Sequence, residues 1–305
     1  MSEPIVYLNG RLVPDSQATI SVHDSGFTLG DALYEAARTF NGVPYKLDQH
    51  LDRLDRSLKY ARIELGMSRQ ELLAATQRTI EANRPLLPDD FWIYYYVTRG
   101  LYTFRHYQPA PVSERPPTVI IFCKPLEFAY FAQGYQHGVH AVIPPTRRTP
   151  FQCLDPKIKS TSRLNLVLAE IEAKLVDPAA WSMILDIAGN IAENKSGNVF
   201  IIKDGALFTP RTDGVLGGIT RATILELAQK LGIAVRETEL QPYHAITADE
   251  AFFTATSYCI MPIVKVNGVT LGDGAPGPMT RRLMQAWGEL VGVDLLAQAA
   301  KYLPR

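Results

Sequence analysis

Leu47, Leu51, Leu54, Leu58 and Ala61 recur every three or four residues, which places all five on one face of an α-helix over residues 47–62. The surrounding sequence follows a different period. Residues 5–13 set two β-rich runs around Asn9-Gly10, a dipeptide suited to a tight hairpin turn. Residues 31–39 continue as a candidate strand. Residues 91–98 and 118–123 are rich in aromatic and β-branched side chains, as strands are. A second helix is expected over residues 69–83. A chain that changes its apolar period this often must bury both kinds of face together, so the first third reads as α+β.

Pro125, Gly134 and Gly138 interrupt an aromatic stretch, which reads as a crossing between domains over residues 126–137. Beyond it, strand candidates at 139–143, 182–186, 199–203, 206–208, 234–237 and 251–255 alternate with helices near 164–174, 220–231 and 278–290. Gly232 is placed to end the second of these helices. The expected organisation is a small N-terminal α+β domain (1–125), a linker (126–137) and a larger C-terminal α/β or α+β domain (138–305). The chain length of 305 residues suits two medium domains.

Thirty-one basic and 31 acidic residues balance, so charge does not favour capture of nucleic acid or of an anionic membrane. The three cysteines, Cys123, Cys153 and Cys259, lie far apart and none sits at zinc-ligand spacing, which argues against a metal centre or a disulfide framework. The start lacks the basic and apolar pattern of a signal peptide, and no apolar run approaches the ~18 residues of a membrane span. The expectation is a soluble, cytoplasmic protein.

Several residues could carry chemistry. Lys159 and Lys157 share a face if their segment is extended, and either could become a nucleophile where burial disfavours its charged form. Local composition leaves the choice between them open, and a solvated surface lysine is the commoner role. Glu193, in Ile191-Ala192-Glu193-Asn194-Lys195-Ser196-Gly197-Asn198, is a carboxylate in a turn. Leu216-Gly217-Gly218-Ile219-Thr220-Arg221 leads into a helix, where free amides and the Thr220 hydroxyl make a cup for phosphate. Thr254-Ala255-Thr256-Ser257 puts small hydroxyls at a strand end. Arg53, in His50-Leu51-Asp52-Arg53-Leu54, flanks the apolar stripe and can turn inward as a two-pronged anion ligand.

The order of these pieces resembles the fold-type IV, pyridoxal phosphate (PLP)-dependent enzymes, from about Tyr7 to about Thr280. These enzymes include branched-chain and D-amino acid aminotransferases, (R)-selective amine transaminases and aminodeoxychorismate lyases. The resemblance is most specific from Glu193 through Asn198-Val199-Phe200, Lys203-Asp204-Gly205 and Phe208-Thr209-Pro210 to Gly218-Ile219-Thr220-Arg221. His50-x-x-Arg53-Leu54 and Gly30-Asp31-Ala32-Leu33-Tyr34-Glu35 add to it. It implies a D-amino acid aminotransferase-like fold that works as a homodimer, with Lys159 linked to PLP and shuttling the proton. It implies Glu193 at the pyridine nitrogen, a site where a carboxylate keeps the ring an electron sink. Arg53, the Ile219 and Thr220 amides, the Thr220 hydroxyl and Thr256, with Ser257 beside it, would hold the phosphate. Two departures stand out. Asn194 and Lys195 replace glycines common in the family, and Arg163 follows Lys159 where many relatives have a tyrosine for the ring hydroxyl.

The implied reaction is ping-pong transfer of an amino group between an amino donor and a keto acid, with branched-chain L-amino acids the leading substrates. Phe27, Leu29, Tyr34, Arg38, Trp92 and Tyr94 are the expected pocket walls, since aromatic walls bury apolar side chains well. Arg105 is a candidate clamp for the substrate carboxylate. Asp24-Ser25-Gly26-Phe27 to Gly30-Asp31 is similar to the D-amino acid branch, and Arg99-Gly100-Leu101-Tyr102-Thr103-Phe104-Arg105 to a loop of the D-amino acid and (R)-amine branches. Lys159-Ser160-x-x-Arg163-Leu164 is similar to the lyase branch. A PLP-free scaffold is the alternative without chemistry.

Overall fold

The computed structural model describes residues 3–103, 108 and 111–303. The chain divides into two compact units. The first comprises residues 1–126 with 158–162, and the second comprises 127–157 with 163–305.

The first unit is one six-stranded sheet under two helices. Its elements are β1 (Ile5–Leu8), β2 (Arg11–Pro14), α1 (Ser25–Leu29), β3 (Ala32–Phe40), β4 (Val43–Pro44), α2 (Leu47–Ala61), α3 (Arg69–Asn83), β5 (Phe91–Thr98) and β6 (Thr118–Pro125). The strand order is β2-β1-β6-β5-β3-β4. The β1–β2 hairpin turns on Asn9 and Gly10, both at positive φ, as a turn matched to strand twist requires. Helix α2 buries Leu51, Leu54 and Leu58, the stripe expected of it. Helix α3 begins with a reciprocal capping box between Ser68 and Glu71. Its last residue, Asn83, clamps both the amide and the carbonyl of Ile5 on β1 (2.9 and 2.7 Å).

The two faces of this sheet differ. On the helix side, Tyr95 of β5 bonds Thr76 of α3 (3.0 Å) and Glu35 of β3 meets α2. On the other side, the alternate residues form an aromatic ladder. Tyr34 stacks on Tyr96, Tyr96 on Phe122, Phe122 on Tyr94, and Tyr94 leans on Trp92.

The second unit comprises α4 (Phe128–His137), β7 (Val139–Val142), α5 (Leu164–Val176), β8 (Trp181–Ser182), β9 (Ile184–Leu185), β10 (Ile191–Glu193), β11 (Asn198–Lys203), β12 (Ala206–Thr209) and α6 (Ile219–Lys230). After these come β13 (Val235–Glu237), α7 (Pro242–Ile246), β14 (Glu250–Ala255), β15 (Cys259–Val266), β16 (Val269–Thr270), α8 (Pro278–Val291) and α9 (Leu295–Ala300). The main path of its ten-stranded sheet runs β13-β12-β11-β14-β15-β7-β8. The strand β10 pairs with β11 and β9, and β16 pairs with β15. The central strands β11 and β14 are buried almost throughout.

Two features differ from the expected organisation. Most of residues 126–137 is the helix α4 of the second unit. Phe128, Phe131, Ala132 and Tyr135 are its buried face, and Gly134 is needed there because a Cβ would meet Met261 Sδ at 2.4 Å. The glycines that read as breakers serve close packing and, at Gly138 with φ +70°, helix termination. The second difference is that residues 158–162 leave the C-terminal sequence and pair with β3. Tyr34 N donates to Lys159 O (2.9 Å), Leu33 bridges Ser160, and Thr161 N donates to Ala32 O (3.0 Å).

Candidate active site

In the first unit the strand-like pairing with β3 fixes the backbone of Lys159, and its half-buried side chain turns onto the aromatic face. Its Nζ donates to the Tyr34 hydroxyl (3.2 Å) and lies 4.3 Å from the Tyr34 ring centroid. Lys157, in the second unit, is exposed and pairs with Asp155 at 3.3 Å. Local composition leaves these two lysines equivalent and the family resemblance points to Lys159, which the fold sets against an aromatic wall.

Arg53 turns inward from α2, as its place beside the stripe suggests, and is buried. Nε and Nη2 make a two-pronged ion pair with Glu35 (2.8 and 2.7 Å). His50, one turn earlier, brings Nδ1 to 3.6 Å from the same carboxylate. Burial alone would raise the Glu35 pKa, but the Arg53 guanidinium and His50 overcome this and hold it well below the usual carboxylate range. Burial lowers the His50 pKa more than Glu35 raises it, so the imidazole is held neutral. Neither Tyr34-Glu35 nor His50-x-x-Arg53 gives Glu35 a role in the sequence alone. What the sequence lacks is the pairing of β3 with α2.

Of the expected pocket walls, Tyr34, Trp92 and Tyr94 share the aromatic ladder, joined by Tyr96 and Phe122, which sequence reading missed. The period-two alternation of Trp92, Tyr94 and Tyr96 was the available signal. Arg38 is on the same face, opposite Trp92 in the β3–β5 register and about 13 Å along β3 from Tyr34. It stacks on Phe40 and donates to Thr39 O (3.1 Å). Phe27 and Leu29, on α1, are exposed. Arg105 lies outside the described residues.

In the second unit Glu193 ends β10 and is buried. One carboxylate oxygen is ion-paired with Arg148 Nε, and the other accepts from the Leu216 amide (3.3 Å). Arg148 had no sequence signal, because its partner is distant in the chain. Leu216 opens the glycine loop into α6, so the carboxylate and the helix N-terminus are braced together. Asn198, across the turn from Glu193, donates to Leu216 O (2.9 Å). Gly218 caps α6 without a side-chain bond. A Cβ on it would lie 2.1 Å from Asn198 Oδ1, so a larger residue would displace the Asn198 amide that donates to Leu216 O.

Thr220 is buried in the first turn of α6, beside helix amides that have no intrahelical acceptor. Thr254 pairs with Asn198 in the β11–β14 register, and its buried hydroxyl has no partner among the described residues. Thr256 is in the turn that follows. Ser257 lines a cavity of about 120 Å³ with Glu170, Lys195 and Tyr258. Arg163, at the N-cap of α5, donates to Lys195 O.

The non-glycine residues of the 194–197 turn are accommodated locally. Asn194 N donates to Gly197 O (2.7 Å), Asn194 Oδ1 accepts from Ser196 N (3.0 Å), and Lys195 Nζ reaches Glu170 at 3.5 Å.

A buried carboxylate, a helix N-terminus with a glycine approach and an orphaned hydroxyl together fit an aromatic cofactor that ends in phosphate. No group of His, Cys, Asp and Glu side chains among the described residues is arranged to hold a metal ion.

This arrangement lies inside the stretch matched by the model of the class IV amino-transferases, residues 32–266. The chain is 33% identical over 288 residues to a putative branched-chain-amino-acid aminotransferase of Methanocaldococcus jannaschii, covering 93% of this chain and 96% of that one. It is 32% identical over 282 residues to a D-alanine aminotransferase of Bacillus licheniformis, covering 92% and 95%. The crystal structure of the Escherichia coli branched-chain amino acid aminotransferase superposes with a TM-score of 0.88 at 30% identity, over 95% of both chains.

The chain belongs to the class IV aminotransferases, a PLP-dependent family with the fold-type IV architecture. It is a transaminase, as its sequence suggested.

Proposed function

We propose that this transaminase acts on amino acids with apolar side chains, branched-chain L-amino acids foremost, with a 2-keto acid as acceptor and PLP carried on Lys159. The observation that carries this reading is the ladder of Tyr34, Tyr96, Tyr94 and Phe122, with the Lys159 amine held at its Tyr34 end. Such a wall strips water from an apolar side chain and offers it dispersion contacts. A charged side chain loses hydration against these rings unless a charged partner offsets it.

The cofactor, when bound, supplies the electron sink that lets the substrate α-carbon lose a proton. Lys159 Nζ takes that proton and later returns one, acting first as base and then as acid. Tyr34 orients the amine through its hydroxyl. Glu193 keeps its charge directed at the pyridine nitrogen, because Arg148 and the Leu216 amide restrain the carboxylate. The Ile219 and Thr220 amides, the Thr220 hydroxyl, Thr256 and Arg53 bind the phosphate, with Ser257 beside Thr256. Glu35 and His50 orient Arg53 from behind. The ring-hydroxyl ligand is assigned to Arg163, whose guanidinium also holds the turn after Glu193. Phe27, Leu29, Trp92 and, further along β3, Arg38 border the substrate side, and Arg105 clamps its carboxylate. The protein works as a cytoplasmic homodimer, a location in keeping with its three free thiols.

D-amino acids are the second reading, because the D-alanine aminotransferase relative is as similar as the branched-chain one. A half-reaction screen separates them. Holoenzyme is mixed in turn with L-leucine, D-alanine and (R)-1-phenylethylamine, and the near-visible absorbance of bound PLP is followed. L-leucine should bleach it and 2-oxoglutarate should restore it. Bleaching by D-alanine alone would overturn the L-branched-chain assignment. Pyruvate release from aminodeoxychorismate without any keto acid would point instead to lyase chemistry.

A further inference from the structure

The turn over residues 194–197 begins directly after Glu193 and carries the Lys195 carbonyl that accepts from Arg163. It therefore joins the carboxylate assigned to the pyridine nitrogen to the guanidinium assigned to the ring hydroxyl. The bond from Asn194 N to Gly197 O closes the turn on itself (2.7 Å), which sets its shape but not its place.

Two side chains of the turn reach outward to a single residue, Glu170 of α5. Asn194 Nδ2 donates to Ser182 O (2.8 Å), and Ser182 donates its own amide and hydroxyl to Glu170 Oε2 (3.2 and 2.8 Å). Lys195 Nζ lies 3.5 Å from Glu170 Oε1. One carboxylate thus holds the turn with both oxygens, once through a strand residue and once directly.

Glu170 is buried, and a carboxylate taken out of water needs such partners. An ion pair free in solvent would contribute little. Here Ser182 fixes the carboxylate, so the Lys195 amine closes on a charge that cannot swing away. Loss of either partner releases Lys195, whose carbonyl is the Arg163 acceptor. Lys174 also approaches Glu170 Oε1 (3.8 Å), but its amine donates to Ala180 O and Pro178 O (3.1 and 3.4 Å), outside the turn.

We propose that Glu170 is a positioning residue of the cofactor site, holding the turn through Lys195 and Ser182 so that the Glu193 carboxylate and the Arg163 guanidinium keep a fixed spacing. This inference rests on the reading of Arg163 as the ring-hydroxyl ligand and goes beyond it by naming what places that ligand.

The test is the pH titration of the near-visible absorbance of PLP in the holoenzyme, which follows the proton on the nitrogen that joins PLP to Lys159. A guanidinium close to that nitrogen disfavours its protonated form, so a displaced Arg163 raises the midpoint. Glu170→Gln keeps an oxygen for Ser182 and loses the charge for Lys195. Lys195→Met loses the amine and keeps the stem. Each should raise the midpoint by about half a pH unit or more, the scale of coupling within one ion-pair network. The double variant should rise no further than the larger single, as residues acting through one link do. Lys174→Met should titrate as wild type, and Arg163→Gln should rise most. A glutamate that only stabilised the fold would lower the melting temperature and leave the titration where it was.

Charges acting through space would give another pattern. Loss of the Glu170 charge would then lower the midpoint, while loss of either lysine would raise it. That pattern would overturn the positioning role and leave Arg163 as the ligand. So would a wild-type titration in either Glu170→Gln or Lys195→Met beside a shifted Arg163→Gln. An unmoved Arg163→Gln would overturn the ring-hydroxyl reading and the inference with it. The Lys195 side chain is partly exposed, so Lys195→Met decides the matter even where Glu170→Gln folds poorly.

Discussion

Lys159 and Lys157 are two residues apart and chemically identical, yet their surroundings assign them different work. One amine meets the Tyr34 hydroxyl and the other, itself exposed, the Asp155 carboxylate. Lys159→Ala should abolish transamination, while Lys157→Ala should keep most of it. Rates for both variants with L-leucine decide this, and a dead Lys157→Ala with an active Lys159→Ala would reverse the assignment. Glu35 and Arg53 form a buried pair, and removing one partner leaves the other charge stranded. Glu35→Ala should therefore lower unfolding stability by about 3–5 kcal/mol, measured by urea denaturation. The pair also sets a pH dependence. His50 and Glu35 both have folded pKa values depressed below their ordinary 6.5 and 4.5. Each contribution is present above those values and lost as pH falls towards the folded pKa. The urea midpoint should decline first below pH 6.5 and further below pH 4.5. A His50→Gln variant should remove the upper part of that decline, and an unchanged profile would count against the buried neutral imidazole.

Among the elements, helix α8 owes its start to a residue from another element. Glu250 at the head of β14 accepts from the Met279 and Thr280 amides (2.9 and 2.8 Å) and from the Thr280 hydroxyl (2.7 Å). It thereby satisfies orphan donors and opposes the positive end of the helix. Glu250→Ala should cost about 1–2 kcal/mol, the range of a lost cap, seen as a lower melting temperature. The turn after Glu193 is similarly constrained. A Cβ on Gly197 would fall 2.2 Å from Thr254 O, a backbone atom that cannot swing away. Gly197→Ala should destabilise the unit by about 1–3 kcal/mol and weaken PLP retention, whereas Gly205→Ala, strained at its φ of +74° but with open space around its Cβ, should leave PLP retention unchanged.

In the molecule as a whole, the proposed PLP ligands come from the interior of α2 (Arg53), the end of β10 (Glu193), the first turn of α6 (Ile219, Thr220) and the turn after β14 (Thr256, Ser257). They are backed by a sheet under two helices in the first unit and by an almost wholly buried pair of strands in the second. Ligand binding to such preformed groups stabilises the folded chain by mass action. Saturating PLP at about 100 times its dissociation constant should add ~2.7 kcal/mol and raise the melting temperature by several degrees, with the gain reduced in Gly218→Ala. A melt unmoved by PLP would argue against the cup at α6.

Local periodicity and turn chemistry were enough to place helices α2 and α3, the Asn9-Gly10 hairpin and the glycine approach to α6, because each depends on neighbours a few residues apart. The ordered motif from Glu193 to Arg221 was enough to identify the family. Helix α4 escaped because its glycines answer to Met261 and Val264, far along the chain. Glu35 as the mate of Arg53 and Arg148 as the mate of Glu193 emerged only when strands and helices had been paired. Those contacts join residues that no local pattern relates, and burial rather than composition gives each charge its partner.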